Sequence, residues 1–220
     1  MRPAFLLLYL LAMSLLLAAC ARDRAAVPTR PGEERPRSES RAVAQCVAQL
    51  HEGRARFSTV PDQTFGNGCA IRDAVFFTAL GSDEGSIALG NIGPVACPLA
   101  QTFAAWARYG VDRAARQILG SPVVRIETMG SYACRNVAGT ARLSAHSQAR
   151  AIDIAGFVLA DGRRISVLRH WTEGSEAERQ FLRTVHASAC RRFGTVLGPD
   201  YNAAHRDHFH LEESDGRFCR

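Results

Sequence analysis

The chain has 220 residues and a formal charge of +6, and every one of its 27 strongly basic residues is an arginine. The arginines are scattered, without aromatic residues interleaved in a stripe, which argues against nucleic acid as a partner. With 47% hydrophobic residues the chain is long enough to bury one sizeable core, so we expect one globular domain.

The N-terminal residues have the pattern of an export signal. Arg2 precedes an apolar run from Phe5 to Ala19 that is short for a membrane span and typical of a signal peptide. The run ends at Cys20 in the sequence LAAC, which resembles a bacterial lipobox, and we predict a signal peptide over residues 1–19 and lipidation of Cys20. Because Ala21 and not aspartate follows, the same resemblance favours the periplasmic face of the outer membrane of a Gram-negative bacterium over its inner membrane. The alternative is an ordinary cleaved signal in which the cysteine is incidental.

Residues 21–45 are expected to form a disordered tether between the membrane anchor and the domain. They hold three prolines and many charges but few large apolar side chains. A segment of this kind buries too little surface to offset its conformational entropy. Residues 46–220 then remain for the domain.

Six further cysteines follow the tether, an even number that suggests three disulfides in an oxidising periplasm. They are Cys46, Cys69, Cys97, Cys134, Cys190 and Cys219. The sequence does not fix how they pair, and our preferred set is Cys46–Cys69, Cys97–Cys134 and Cys190–Cys219. No CxxC pair occurs in the sequence, which disfavours a zinc site built from cysteines.

The elements predicted for the first half of the domain are a short helix over residues 42–52, a turn-rich segment over 61–68, a helix over 98–119 and a strand over 123–128. Pro98 suits the first turn of the second helix. Leu99, Phe103 and Trp106 recur at helical spacing, so we expect them on one buried face. The branched side chains after residue 122 are typical of a strand.

The elements predicted for the second half are a strand over 151–159, a returning strand over 164–168, a helix from about 175 to 193 and a short strand over 208–212. Asp161-Gly162 is a hairpin turn signal between the first two. Ser175 with Glu178 forms a capping box at the start of the helix. Because helices and strands mix without regular alternation, we predict an α+β domain.

Two short segments carry four of the seven histidines: residues 144–153, which read SAHSQARAID, and residues 205–210, which read HRDHFH. Two imidazoles and one carboxylate are a common ligand set for a catalytic zinc. Asp153 falls within a predicted strand, and His208 and His210 share one face of another because they are two residues apart. If these strands are neighbours, His146, Asp153 and His210 converge on one ion.

The first of these segments resembles the SxHxxGxAxD motif of the D-alanyl-D-alanine metallopeptidases. The second resembles the closing HxxHxH motif of murein endopeptidases with the same hedgehog/D,D-peptidase fold. Together with GSYACR, AIDIAGF and VLGPDYN, the segments make residues 45–220 similar to the bacterial extensin-like C-terminal domain family. The resemblance implies a small, mostly antiparallel sheet with flanking helices. One departure is Ala149, which stands where the motif usually has glycine.

Carried over residue by residue, the resemblance implies that His146, Asp153 and His210 bind one Zn²⁺ ion. It leaves two candidates for the general base, Asp207 and His208, either of which would take a proton from water activated by the metal.

The resemblance also implies four supporting residues. His205 would assist in binding or in orienting the water, and Arg135 would stabilise the oxyanion that forms during amide hydrolysis. Ser144 and Tyr132 are expected to contact the substrate, although Ser144 is equally suited to capping its loop.

These expectations together predict a zinc hydrolase that acts on peptide bonds of peptidoglycan stem peptides. Carboxypeptidase, D,D-endopeptidase and L,D-endopeptidase activities all fit the motifs. Two alternatives stay open at this point. The domain could keep the zinc and only bind peptidoglycan or an envelope partner, or it could be a disulfide-stapled spacer without metal.

Overall fold

The computed structural model describes residues 41–220. The predictions of a signal peptide and of a lipidated Cys20, and most of the predicted tether, lie outside this range. Among the described residues, no helix is both long enough and apolar enough to span a bilayer. Residues 41–45, which we assigned to the tether, already belong to the first helix, because buried Cys46 and Leu50 anchor that helix on the domain.

Four α-helices occur in residues 41–220: α1 (Arg41–Glu52), α2 (Cys97–Trp106), α3 (Val167–His170) and α4 (Glu176–Cys190). The strands in this range are β1 (Arg56–Val60), β2 (Gln63–Thr64), β3 (Ala70–Ile71), β4 (Ala74–Gly81), β5 (Ser86–Gly90), β6 (Val95–Ala96), β7 (Val123–Gly130), β8 (Ala151–Leu159), β9 (Arg164–Ser166), β10 (Thr195–Leu197), β11 (Phe209–Glu212) and β12 (Phe218–Cys219). Helix α2 continues through two π-helical segments, Ala107–Asp112 and Ala115–Leu119.

Ten of the described strands form one sheet. Its main order is β1-β4-β5-β7-β8-β11-β10-β12, with β6 paired to β4 and β9 paired to β8, while β2 and β3 form a separate pair. Strand pairs β5–β7 and β10–β12 are parallel, and the remaining pairs are antiparallel. The predicted α+β class with a mostly antiparallel sheet is therefore confirmed. Strands β1, β4, β5 and β6, between residues 56 and 96, extend this sheet beyond the elements that we predicted.

The core lies between the sheet and helices α2 and α4. The predicted apolar face of α2 is confirmed, since Leu99, Phe103 and Trp106 are fully buried. The Trp106 indole N–H donates to the carbonyl of Val185 in α4 at 3.1 Å. The helices approach closely beside Gly110, where an added Cβ would lie only 2.5 Å from the Ser188 hydroxyl. This packing holds α2 and α4 together on one face of the sheet.

Several predicted boundaries agree with the structure. Strand β8 has the predicted bounds, and α4 has the predicted capping box, in which Ser175 accepts from the Glu178 N–H and the Glu178 carboxylate accepts from the Ser175 N–H. The returning strand is shorter than predicted. It ends at Ser166 because Val167–His170 turns into a helix that packs against β8 and α4.

Three disulfides staple the domain: Cys46–Cys97, Cys69–Cys134 and Cys190–Cys219, with Cα–Cα distances of 5.9, 5.6 and 5.6 Å. The third pairing was predicted, whereas the predicted partners of the other four cysteines are wrong. Helix α1 packs on α2, which brings its cysteine to the start of that helix and not to Cys69. Pairing follows this tertiary proximity because a disulfide needs Cα atoms within about 4.4–6.8 Å.

Candidate metal centre

Strands β8 and β11 are antiparallel neighbours, and their register places Asp153 opposite His210. Ile152, Ile154 and Phe209 alternate with these residues and are fully buried on the other face of the sheet. Such alternation is what the pleat of a strand imposes. The adjacency on which the predicted ligand set depended is therefore present.

A short 3₁₀ turn, Ala145–Gln148, brings His146 to the same place. The Ser144 hydroxyl caps this turn and accepts from the His146 N–H at 3.4 Å. The turn ends at Ala149, whose backbone is left-handed with φ 55° and ψ 27°. Its N–H donates back to the His146 carbonyl, and its own carbonyl accepts from Ala96. The turn is thus fixed at both ends immediately before β8.

The three predicted metal ligands are in direct contact. His146 Nε2 lies 3.2 Å from His210 Nδ1 and 3.2 Å from Asp153 Oδ2. His210 Nδ1 lies 2.9 Å from Asp153 Oδ1. The side chains are largely buried, with exposed fractions of 4% for His146, 10% for His210 and 14% for Asp153.

In His146 and in His210, the ring nitrogen that points away from the cluster lies within hydrogen-bonding distance of an oxygen atom. The Ser131 carbonyl lies 3.3 Å from His146 Nδ1, and the Glu212 carboxylate lies 3.0 Å from His210 Nε2. Because these oxygens only accept hydrogen bonds, each outer nitrogen carries the ring hydrogen in the neutral imidazole. The two inner nitrogens then present lone pairs to each other and to the carboxylate of Asp153.

Three lone-pair atoms at this spacing require a shared cation. Burial opposes a proton on His210, but hydrogen bonds to Asp153 and Glu212 outweigh it and raise the pKa of His210 to about 9. Burial likewise opposes the charge of Asp153, but hydrogen bonds from His146 and His210 hold the pKa of this carboxyl well below its usual range. A proton is thus one cation that satisfies the cluster.

A divalent metal ion is the other cation that fits. A tetrahedral zinc with bonds of about 2.0–2.1 Å has its ligand atoms about 3.3 Å apart, which is close to the spacing found here. Carbonyl and carboxylate partners on the outer nitrogens are also what metal-bound imidazoles have. A second group of metal-ligating residue types, His186, Cys190 and Cys219, lies close together, but the disulfide between the two cysteines leaves no thiolate free.

His208 stands at the edge of the cluster. Its Nε2 is 3.7 Å from Asp153 Oδ1, while its Nδ1 contacts the carboxylate of Asp207 at 2.8 Å. The Asp207 side chain is 39% exposed and lies on the outer side of the imidazole. The structure therefore brings His208 to the cluster and brings Asp207 to His208.

His205 completes a row of imidazoles. Its ring centroid is 5.1 Å from that of His208 and 6.0 Å from that of His210. Burial and the two neighbouring imidazoles lower the pKa of His205 to about 4, so this ring is neutral at pH 7. Its Nδ1 donates to the side-chain oxygen of Asn202 at 2.8 Å, which leaves Nε2 as an acceptor.

Residues 44–220 match the family model described as the extensin-like protein C-terminus. The chain belongs to this family. No curated protein and no solved structure matches the chain. The match covers the described extensin-like domain almost from its first residue, and it includes every residue of the cluster.

Within residues 41–220, the side chains of the other predicted site residues of the extensin-like domain form no hydrogen bond or ion pair with the ligand atoms of the cluster. Arg135 is exposed, its guanidinium donates to the Asn136 carbonyl at 3.4 Å, and residues 41–220 offer it no hydrogen bond or ion pair with the three ligands. The Tyr132 ring packs on Phe65 with its hydroxyl buried and without a hydrogen-bond partner. Ser144 caps the turn that carries His146, which is the structural role that we considered for it.

Two residues whose side chains hydrogen-bond to the imidazoles of the site were not predicted. Glu212 follows His210 by two positions on β11 and so shares its face, a spacing that could have indicated it. Asn202 precedes the short 3₁₀ turn Ala203–His205 and caps it by accepting from the Ala204 N–H. Asparagine three residues before a histidine is a weak signal, so Asn202 could hardly have been singled out.

Proposed function

We propose that this extensin-like domain is a zinc-dependent hydrolase that cleaves peptide bonds of peptidoglycan, as a carboxypeptidase or an endopeptidase. The observation that carries the proposal is the convergence of three lone-pair donors whose outer partners, Ser131 and Glu212, hold the two imidazoles in place. The resemblance of residues 144–153 and 205–210 to D-alanyl-D-alanine metallopeptidases supplies the reaction class. The lipobox-like sequence supports an envelope address with a membrane anchor at Cys20.

The proposed metal ligands are His146 through Nε2, His210 through Nδ1 and Asp153 through its carboxylate. Zinc bound there supplies Lewis acidity, which lowers the pKa of water to about 7 and polarises a carbonyl group. Ser131 and Glu212 keep both imidazoles in the tautomer that binding requires. Ligands on two paired strands and a capped turn form a rigid set that needs little rearrangement.

His208 is the general base in this proposal. Its Nε2 faces the cluster, and Asp207 accepts the hydrogen on Nδ1, so the imidazole presents a lone pair towards the reacting water. When His208 takes the proton, the adjacent carboxylate of Asp207 stabilises the imidazolium. This division of roles uses both residues that the motif resemblance left as alternatives.

His205 and Arg135 would act on the water and the substrate. Because His205 is neutral and donates its Nδ1 hydrogen to Asn202, its Nε2 accepts a hydrogen bond from the water. Arg135 enters on the resemblance alone, as the cation for the developing oxyanion. The disulfide between Cys69 and Cys134 fixes the backbone beside it, while its exposed side chain stays accessible to a peptide.

The proposal is tested by measuring the zinc content of the protein and the peptide fragments that it releases from peptidoglycan. The purified chain, loaded with zinc and dialysed, is expected to hold one zinc per chain and to release new peptide fragments from purified peptidoglycan, detected by mass spectrometry. His210→Ala should lose both properties, because it removes a ligand and the contact with Glu212. His51→Ala is the matched control, since His51 lies exposed on α1, and it should keep both.

Other outcomes would contradict the proposal in distinct ways. Stoichiometric zinc and binding to peptidoglycan without fragments would favour a binding module over a hydrolase. Fragments that persist in His210→Ala would place the chemistry elsewhere. Absence of zinc from the wild-type chain after loading would leave the proton on His210 as the cation of the cluster. It would contradict the proposed metal centre itself.

A further inference from the structure

A cavity of about 270 Å³ opens beside the metal centre, between the turn that carries His146 and the residues that follow β11. Its lining includes Arg142, Ser147, Glu212 and Asp215. Glu212 is the carboxylate whose Oε2 contacts His210 Nε2, so this residue belongs to both sites. A molecule in the cavity would therefore lie one imidazole away from the proposed metal.

The cavity contains a buried polar group without a partner. Ser147 is fully buried, its hydroxyl makes no hydrogen bond, and the residue lines the cavity. A hydroxyl removed from water in this way costs free energy unless a partner is supplied. Most of the other residues that line the cavity are polar or charged as well, which points to a polar occupant.

The charged groups around the cavity identify the kind of polar occupant. Arg150 is neutralised by Glu213 at 3.1 Å. Arg142 and Asp215 are exposed, and within residues 41–220 neither forms an ion pair. The cavity therefore offers one free guanidinium and one free carboxylate, together with the second oxygen of Glu212.

A simple anion would meet the two carboxylates, and a metal cation would meet the arginines, so neither suits the cavity. A ligand that carries both an ammonium and a carboxylate satisfies both signs. Guanidinium groups bind carboxylates through paired hydrogen bonds, and carboxylates accept charge-assisted hydrogen bonds from ammonium groups. The volume also accommodates the end of one amino acid.

We propose that this cavity binds an amino-acid zwitterion, the free ammonium and carboxylate groups at the end of a side chain in a peptide substrate. Arg142 holds the carboxylate, and Asp215 and Glu212 hold the ammonium. The inference rests on the proposed function only in taking its ligand from the same peptide that the metal centre cleaves.

The test is an NMR titration of the full chain with three small probes. D-Alanine carries both charges, N-acetyl-D-alanine only the negative one and D-alaninamide only the positive one. D-Alanine should saturate and shift amide signals around Ser147, and each single-charge probe should bind roughly tenfold more weakly, since each lacks one charge-assisted hydrogen-bonding group. Arg142→Gln and Asp215→Asn should each lower the affinity for D-alanine by a similar factor. Arg169 is an exposed arginine on α3, and Arg169→Gln should leave the affinity unchanged.

Equal affinity for the three probes, unchanged affinity in both cavity variants, or no saturable shift with D-alanine would overturn the inference. The titration requires neither zinc nor turnover. Its failure can therefore be told apart from failure of the proposed hydrolase, which is judged by the metal content and the peptide fragments.

Discussion

Ala149 occupies a backbone conformation that glycine adopts more easily than any other residue. With φ at 55° it ends the turn that carries His146, and it is fully buried. A left-handed conformation costs an alanine about 1–2 kcal/mol. A glycine at this position would avoid that cost. The alanine keeps the turn intact and adds a modest strain.

Replacing Ala149 by glycine should change stability little. Relief of about 1–2 kcal/mol of strain is offset by loss of a buried methyl group, about 0.8 kcal/mol, and by a more flexible unfolded chain. We expect the free energy of unfolding in urea to stay within about 0.5 kcal/mol of the wild type. Ala151→Gly is the control: it removes an equally buried methyl in β8 without relieving strain, and it should cost about 1–2 kcal/mol. Equal losses in both variants would show that Ala149 is unstrained.

His208 and Asp207 can be separated by their effects on turnover. His208→Ala removes the proposed base and should lower kcat roughly 10²–10⁴-fold. Asp207→Asn keeps the shape but removes the charge that orients and stabilises the imidazole, so it should lower kcat by a smaller factor, roughly 10–100-fold. Both variants should retain zinc, which is measured on the same samples. A larger loss for Asp207→Asn than for His208→Ala would make the carboxylate the base.

At the scale of elements, the segments with the strongest sequence patterns have the predicted bounds, whereas the shortest strands were not predicted. Strand β8 and helix α4 combine apolar periodicity with flanking turn or capping residues, and their ends fall where those signals lie. Strands β2, β3 and β6 have two residues each and carry no period. Strand β4 has the readable run AVFFTALG, which we did not assign. Short strands exist because their neighbours pair with them, not because of their own residues.

The capping box of α4 makes a measurable contribution to stability. Ser175→Ala removes the hydroxyl that accepts from the Glu178 N–H, and it should lower the free energy of unfolding by about 1 kcal/mol. Thr184→Ala serves as control because Thr184 lies exposed in the interior of the same helix, where alanine is the better helix former, and it should leave stability unchanged or slightly higher. Thermal or urea unfolding measures both. If Ser175→Ala left the free energy of unfolding unchanged, packing alone would fix the start of α4.

At the scale of the whole molecule, a half-buried histidine lies behind the candidate site. The His186 ring packs against Trp171 and Phe209 at centroid distances of 5.6 and 5.2 Å. Phe209 stands between His208 and His210 in the chain and points to the opposite face of the sheet. Burial lowers the pKa of His186 below its usual 6.5, so the folded domain favours the neutral ring. Helix α4 thus supports β11 through an imidazole that resists protonation.

This burial predicts a pH dependence of stability with a defined sign. The unfolded chain binds a proton at His186 near pH 6.5, whereas the folded chain binds it only at lower pH. The contribution of neutral His186 is therefore complete above that pH and is lost as the pH falls from there through the folded pKa. His186→Leu removes this titration, so the stability of the wild type should fall relative to the variant on acidification. Urea unfolding of both proteins across this range measures the difference, with the alkaline side as internal control. If the difference in free energy of unfolding between the wild type and His186→Leu stayed constant with pH, the His186 ring would be protonated as easily in the folded chain as in the unfolded chain.

The sequence by itself determined the chemistry that is available. The order HxxxxxxD and HxxHxH supplies nitrogen and oxygen donors, and strand alternation predicted that His208 and His210 share one face before any neighbour was known. It also determined the α+β class, the capped helix α4 and the buried face of α2, because each depends on contacts within about ten residues of the chain.

Only the tertiary structure decided which distant residues meet. The register of β8 on β11 joined His210 to Asp153, and the packing of α1 on α2 chose the partner of Cys46. These choices depend on the packing of elements 50 or more residues apart, as in the separation of 51 residues between Cys46 and Cys97. Local sequence patterns carry no information on such pairings, because the free energy that selects them comes from burying the assembled core.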